Sequence, residues 1–241
     1  MLEITSKNNS KIKAALSLRM KKVRQEKGLF LMEGIKNLEM ALKYGLVKTI
    51  FTSIGLPKIG QDIEAYKVNN EIIDKLAVSE NPEGVVFVCE NLKPRKNKDD
   101  YHKIVYLDKI NDPGNLGTII RTAVAFDYDA VILSNGTVDL YNEKVIAASK
   151  GAIFAIDIIN GDISDFTNKH QLIVSALSDK SIPLNKSNKQ KDFILVLGNE
   201  SHGVSQEIID KADQIVKIEM SDNIDSLNVA VAAGILMNHY K

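Results

Sequence analysis

Five polar side chains in three stretches could do chemistry: Asn115 and Arg121 in "NDPGNLGTIIRTAVAF", Glu200 in "LVLGNESHGVS", Ser226 and Asn228 in "IEMSDNIDSLNVAVAAGI". These types suit orientation and charge stabilisation rather than covalent catalysis. Amides hold a partner on both sides, and an arginine grips an anionic group through its planar fork. Other chemistries are set aside on spacing. Gly114 and Gly117 are too sparse for a dinucleotide fingerprint, and the chain has neither a GxxxxGK[ST] phosphate loop nor a GxSxG elbow. His102, His170, His202 and His239 show no metal-ligand spacing, so no metal is expected. The single cysteine, Cys89, rules out an internal disulfide and an all-cysteine metal cluster.

Each of the five also has an ordinary explanation. Leu116, Ile119, Ile120, Ala123 and Val124 follow the spacing of one buried helix face, and Arg121 lies off that stripe near Thr118 and Thr122, where a solvated surface arginine would sit. Asn115 can be the N-cap of its helix, and Glu200 a surface carboxylate in a turn. Ser226 can cap the last helix, and Asn228 can satisfy a backbone group in its first turn.

What must position these residues is a series of short apolar strands alternating with helices. "KIVYLDKI", "AVILS", "LIVSAL", "FILVLGNE" and "QIVKIEM" read as strands. "NEKVIAASKG", "SQEIIDKA" and "SLNVAVAAGILMNHY" read as helices. That alternation predicts an α/β unit with a mostly parallel sheet. The polar loops after "KIVYL", "FILVL" and "QIVKI" fall at strand carboxyl ends, where open parallel sheets bind ligands. Upstream, a helix over Asn8 to Met20, strand "LFLMEG", helix "GIKNLEMALKYG", strand "VKTIFTS", helix "NNEIIDKLA" and strand "GVVFVCE" form a smaller α/β part. A polar, proline-containing stretch at 93–103 is the linker, giving domains over 1–95 and 96–241.

The 241 residues carry 31 basic and 31 acidic side chains, and the resulting zero net charge argues weakly against a nucleic-acid partner. Distribution matters more. Lys21, Lys22, Arg24 and Lys27 belong to a basic N-terminal run, and Lys93, Arg95, Lys96 and Lys98 form a second cluster. Either is a solvated face or a phosphate-binding surface. No apolar run reaches the length of a membrane span and the N-terminus lacks a signal-like stretch, so the expected location is the cytoplasm, with no membrane partner.

Taken together, the three stretches resemble the motifs of the SpoU (TrmH) family of RNA ribose methyltransferases, within the knotted SPOUT class. They occur in the family's order, each after a strand. "KKVRQEKGLFLMEGIKNLEMAL" is similar to the substrate-binding domain of many members, a small fold like certain ribosomal RNA-binding proteins. The resemblance implies a C-terminal Rossmann-like domain with a trefoil knot and S-adenosylmethionine as cofactor. It implies backbone contacts to that cofactor at Gly198, Ile218, Met220 and Leu227, and a homodimer paired through helices. It further implies RNA contacts by Lys21, Lys22, Arg24 and Lys27 and catalytic roles for Asn115, Arg121, Glu200, Ser226 and Asn228. Ribosomal RNA is the expected substrate; transfer RNA, or a non-catalytic RNA-binding or ribosome-assembly role, are the alternatives. Two departures stand out: Glu219 where the family usually has proline, and Ser201-His202 where Gly followed by Lys or Arg is common.

Overall fold

A mixed five-stranded sheet organises the first part of the chain. The computed structural model describes residues 1–56, 60 and 62–241. Strands β1 (Leu2–Ile4), β2 (Leu29–Glu33), β3 (Val47–Thr52), β4 (Glu64–Val68) and β5 (Val85–Glu90) lie in the order β1-β4-β3-β5-β2. Helices α1 (Ser10–Ser17), α2 (Lys21–Lys27), α3 (Ile35–Lys43) and α4 (Asn70–Leu76) accompany them. Strands β1 and β4 are absent from the sequence reading. The first is only three residues long and the second, "EAYKV", mixes charge with few apolar residues.

The helix expected over Asn8 to Met20 is present but shorter, as α1, and a second helix, α2, follows it beyond Met20. Asn9 caps α1 by accepting from the Lys11 N–H at 2.8 Å, and the chain leaves helix at Leu18. The break has a consequence for Arg24, whose side chain is 6% exposed. Its guanidinium donates to the carbonyls of Leu18 and Arg19, at 2.8 and 2.7 Å, and pairs with Asp139. Arg24 therefore closes the turn between α1 and α2, and is not a surface phosphate contact. Lys21, Lys22 and Lys27 are exposed.

The chain divides into two compact units, Met1–Leu92 with Asp139–Ala147, and Lys93–Val138 with Ala148–Lys241. Residues 139–147, within the range expected for the C-terminal domain, fall with the first unit. The expected linker is also more ordered than its composition suggests. Asp157 accepts from the backbone N–H of Arg95 and of Lys96, from the Arg95 Nε and from the Tyr101 hydroxyl. Lys96 pairs with Asp129. Half of the second basic cluster is thus spent inside its own domain.

The second unit contains β6 (Lys103–Asp108), α5 (Pro113–Ala125), β7 (Ala130–Leu133), β8 (Asp157–Asn160), β9 (Gln171–Ser175) and β10 (Ile182–Pro183). It continues with β11 (Phe193–Gly198), α7 (Gln206–Asp210), β12 (Gln214–Lys217) and α8 (Val229–His239); the remaining helix, α6, spans Glu143–Ser149. Its seven strands are all parallel, in the order β10-β12-β9-β11-β6-β7-β8. The central strands are apolar along their length because both faces are buried, as in "FILVL" and "KIVYL". Strand β8, "DIIN", is not among the expected strands; only two apolar residues stand between its polar ends.

Candidate active site

Strands β6 and β11 lie side by side with Asp108 opposite Gly198, so the first two polar loops leave the sheet from adjacent positions. Asp112 caps α5 through its side chain, accepting from the Asn115 N–H at 2.7 Å, with Pro113 in the first turn. Asn115 is therefore not the N-cap. Its amide is left free to face the other loops. Its Nδ2 donates to Glu200 Oε1 at 2.8 Å, and its Oδ1 accepts from Asn228 Nδ2 at 3.0 Å. One side chain joins all three stretches. The third loop starts two strands away and is carried back because α8 packs on α5.

Asn228 is the N-cap of α8, its Oδ1 accepting from Ala230 and Val231 N–H at 2.9 and 3.3 Å. That corrects the expectation that Ser226 caps this helix. Ser226 is exposed and, among the described residues, its side chain makes no hydrogen bond.

Arg121 stands apart from this frame. Six residues beyond Asn115 it is about 9 Å along the helix and on a different side. Leu116, Ile119, Ile120 and Ala123 are fully buried, while Arg121 is exposed with no hydrogen bond or ion pair among the described residues. It lines an open hollow of about 510 Å³ with Thr118, Thr122, Ala125, Phe126 and Gly234.

Gly198 has a steric reason within the protein itself. A Cβ there would lie 2.2 Å from Gly203 C and Val204 N, because the chain turns back on itself through paired bonds between Asn199 and Gly203. The glycine is required by the protein's own hairpin. Ile218, Met220 and Leu227 are half-buried in residues 218–228, which are neither strand nor helix. Among the described residues, 218–227 make one internal backbone hydrogen bond, Ile224 N–H to Ser221 at 3.3 Å. Buried or half-buried peptide groups rarely stay unpaired, so such a stretch suits a ligand read through N–H and C=O groups.

Sequence reasoning passed over Asp108, Lys109, Asn199 and Ser205. Asn199 Nδ2 donates to the Lys109 carbonyl at 2.7 Å, and its Oδ1 accepts from Ser201 and His202 N–H. Asp108 Oδ2 accepts from the Ser205 N–H at 2.8 Å. Burial, with the Asp108 charge nearby, pushes the Tyr106 phenol up to about 12, so it stays neutral near pH 7. The available signal was Asp108 itself, a carboxylate ending an apolar run.

A parallel sheet whose carboxyl-end loops are joined through Asn115, Glu200 and Asn228, with an exposed arginine on the adjoining helix, is an arrangement suited to orientation and charge stabilisation. Residues 102–238 match the SpoU rRNA Methylase family, and residues 9–86 match the MRM3-like substrate binding domain. The chain belongs to the SpoU family of RNA methyltransferases. It is similar to the 23S rRNA (guanosine(2553)-2'-O)-methyltransferase RlmP of Bacillus subtilis, with 31% identity covering 100% of both chains. The AdoMet-bound rRNA methyltransferase from Sinorhizobium meliloti superposes with a TM-score of 0.89 at 31% identity, covering 98% of this chain and 96% of that one. A crystal structure of an RNA 2'-O ribose methyltransferase gives a TM-score of 0.80 at 27% identity, covering 99% and 97%.

Proposed function

We propose that this chain methylates a ribose 2'-hydroxyl in ribosomal RNA in the cytoplasm, using S-adenosylmethionine. The observation that carries the reading is the Glu200–Asn115–Asn228 chain of hydrogen bonds, which holds three motif loops at one sheet edge. When bound, the cofactor supplies an electrophilic methyl group. Gly198, Ile218, Met220 and Leu227 would hold it through backbone groups, in a loop threaded as the family's trefoil knot.

Asn115, Glu200 and Asn228 fix the loop tips, and Ser226 presents its hydroxyl beside them. Arg121 grips the phosphate next to the target ribose and stabilises the developing alkoxide. A free guanidinium is almost never deprotonated, so a phosphate oxygen or water takes the proton. The exposed apolar Val231 and Ile235 of α8, 53% and 40% accessible, favour pairing of two copies through this helix. Lys21, Lys22 and Lys27 contact RNA phosphates from the first unit.

Calorimetry with S-adenosylhomocysteine tests the cofactor half: saturable binding is expected, and no heat with an unchanged melting temperature would overturn it. Sedimentation tests the pairing: a dimer is expected, and Ile235→Glu should shift it to monomer.

A further inference from the structure

We infer that Asp108 is a positioning residue for methyl transfer, fixing the hairpin that carries Glu200. The inference rests on the proposed reaction at this site. It comes from the way residues 108 and 109 hold both stems of that hairpin.

Asp108 is 3% exposed at the carboxyl end of β6. Its carboxylate takes the Ser205 N–H on the returning stem, while the neighbouring Lys109 carbonyl takes the Asn199 side chain on the outgoing stem. Lys109 is itself pinned. It has a left-handed φ of 56°, unusual for a residue with a side chain, and its N–H donates to Ser134 Oγ at 2.8 Å. Between the two stems, Asn199 and Gly203 exchange backbone hydrogen bonds at 3.0 and 2.9 Å. The hairpin has little freedom of its own once both feet are held, and Glu200 rides next to Asn199.

Ser205 supplies only its backbone here. It precedes α7 with φ −61° and makes no side-chain capping bond. The hydrogen bond to Asp108 is charge-assisted and part-buried, which makes it stronger than a fully exposed one. Removing it leaves Glu200 joined to Asn115 through a hairpin free to shift. A misplacement of about 1 Å in a group that positions a reaction can lower its rate ~100-fold.

Four variants test this in the full-length protein, with radiolabelled S-adenosylmethionine and ribosomal RNA at saturation. Asp108→Ala removes the acceptor. Ser205→Pro removes the donor at a φ that proline accepts. Asp108→Asn keeps an acceptor oxygen, and Asp157→Ala is a buried carboxylate lost from the linker clamp instead. Asp108→Ala and Ser205→Pro should each lower kcat at least ~30-fold with KM for RNA changed less than ~3-fold. Their combination should be no worse than either alone, because both delete one contact.

Asp108→Asn should recover kcat to within ~5-fold of wild type. Asp157→Ala should lower the melting temperature with kcat retained. Wild-type kcat in a folded Asp108→Ala or Ser205→Pro, or a loss equal to that of Asp157→Ala at matched melting temperature, overturns the inference. If Asp108→Ala does not fold, Ser205→Pro and Asp108→Asn decide by the same criteria. Wild-type protein without methyl transfer would instead count against the proposed reaction, which separates the two failures.

Discussion

Asn115→Asp changes one atom's chemistry at the junction of the three loops. The new side chain still accepts from Asn228, but it sets a second carboxylate against Glu200 where an N–H had donated at 2.8 Å. The lost hydrogen bond to a charged group is worth about 1.5–3 kcal/mol. Two unit charges about 4 Å apart add about 1 kcal/mol at the water-like dielectric of this exposed position. A total of about 3 kcal/mol against the productive geometry corresponds to a ~100-fold lower rate. Stability should change little, since the contact is exposed. Two adjacent carboxylates raise the pKa of one, and the proton they share then restores a donor between the residues. Below that raised value the variant should regain activity. The assay is methyl transfer from pH 5 to 8, expressed as variant over wild type at each pH. A ratio near one throughout, or a low ratio that stays flat toward acid, would refute the reasoning.

Other outcomes follow from the same geometry. Gly198→Ala should lower the melting temperature by several degrees and abolish cofactor binding together, because the added Cβ collides with Gly203 and Val204 backbone; binding lost with an unchanged melting temperature would contradict this. Arg24→Ala should destabilise the protein by about 3 kcal/mol by leaving the Leu18 and Arg19 carbonyls and the half-buried Asp139 carboxylate without their partner, whereas Lys22→Ala should leave stability alone and reduce the salt dependence of RNA binding. Burial acts to raise Asp157, but hydrogen bonds from Arg95, Lys96 and Tyr101 outweigh it and hold its carboxyl below the usual range. Its stabilisation is therefore present above the unfolded value, ~3.9, and is lost as pH falls through the lower folded value. Melting of Asp157→Asn should fall short of wild type at pH 7 and converge with it toward pH 3. Arg121→Ala should bind cofactor normally yet lose at least ~100-fold in transfer, and Arg121→Lys should be nearly as poor; activity of Arg121→Lys that recovers toward alkaline pH would favour direct proton acceptance instead.

The second unit was legible because its central strands are apolar and buried along their length and alternate with helices of apolar spacing. The apolar stripe of α5 gave both the burial of Leu116, Ile119, Ile120 and Ala123 and the exposure of Arg121. Which residue caps each helix was not legible: Asp112 and Asn115 are equally good caps by type, and the same holds for Ser226 and Asn228. Only the three-dimensional path decides which side chain turns back. Charge runs misled for a similar reason. Arg24 stands among lysines in sequence, but the break at Leu18 supplies carbonyls that a planar guanidinium satisfies and an ammonium would not. Gly198 was expected only as a backbone contact to the cofactor; that its missing side chain makes room for the returning chain at Gly203 and Val204 was not legible.

The proposed acceptor is a ribose 2'-hydroxyl in ribosomal RNA. Ribosomal RNA methylated by the full-length protein with a radiolabelled methyl donor, then hydrolysed in alkali, tests it most directly. A methylated 2'-oxygen cannot attack the adjacent phosphate, so the label is expected in an alkali-resistant dinucleotide, absent with Arg121→Ala. Label recovered in mononucleotides would place the methyl on a base, and no label in ribosomal RNA would contradict the account.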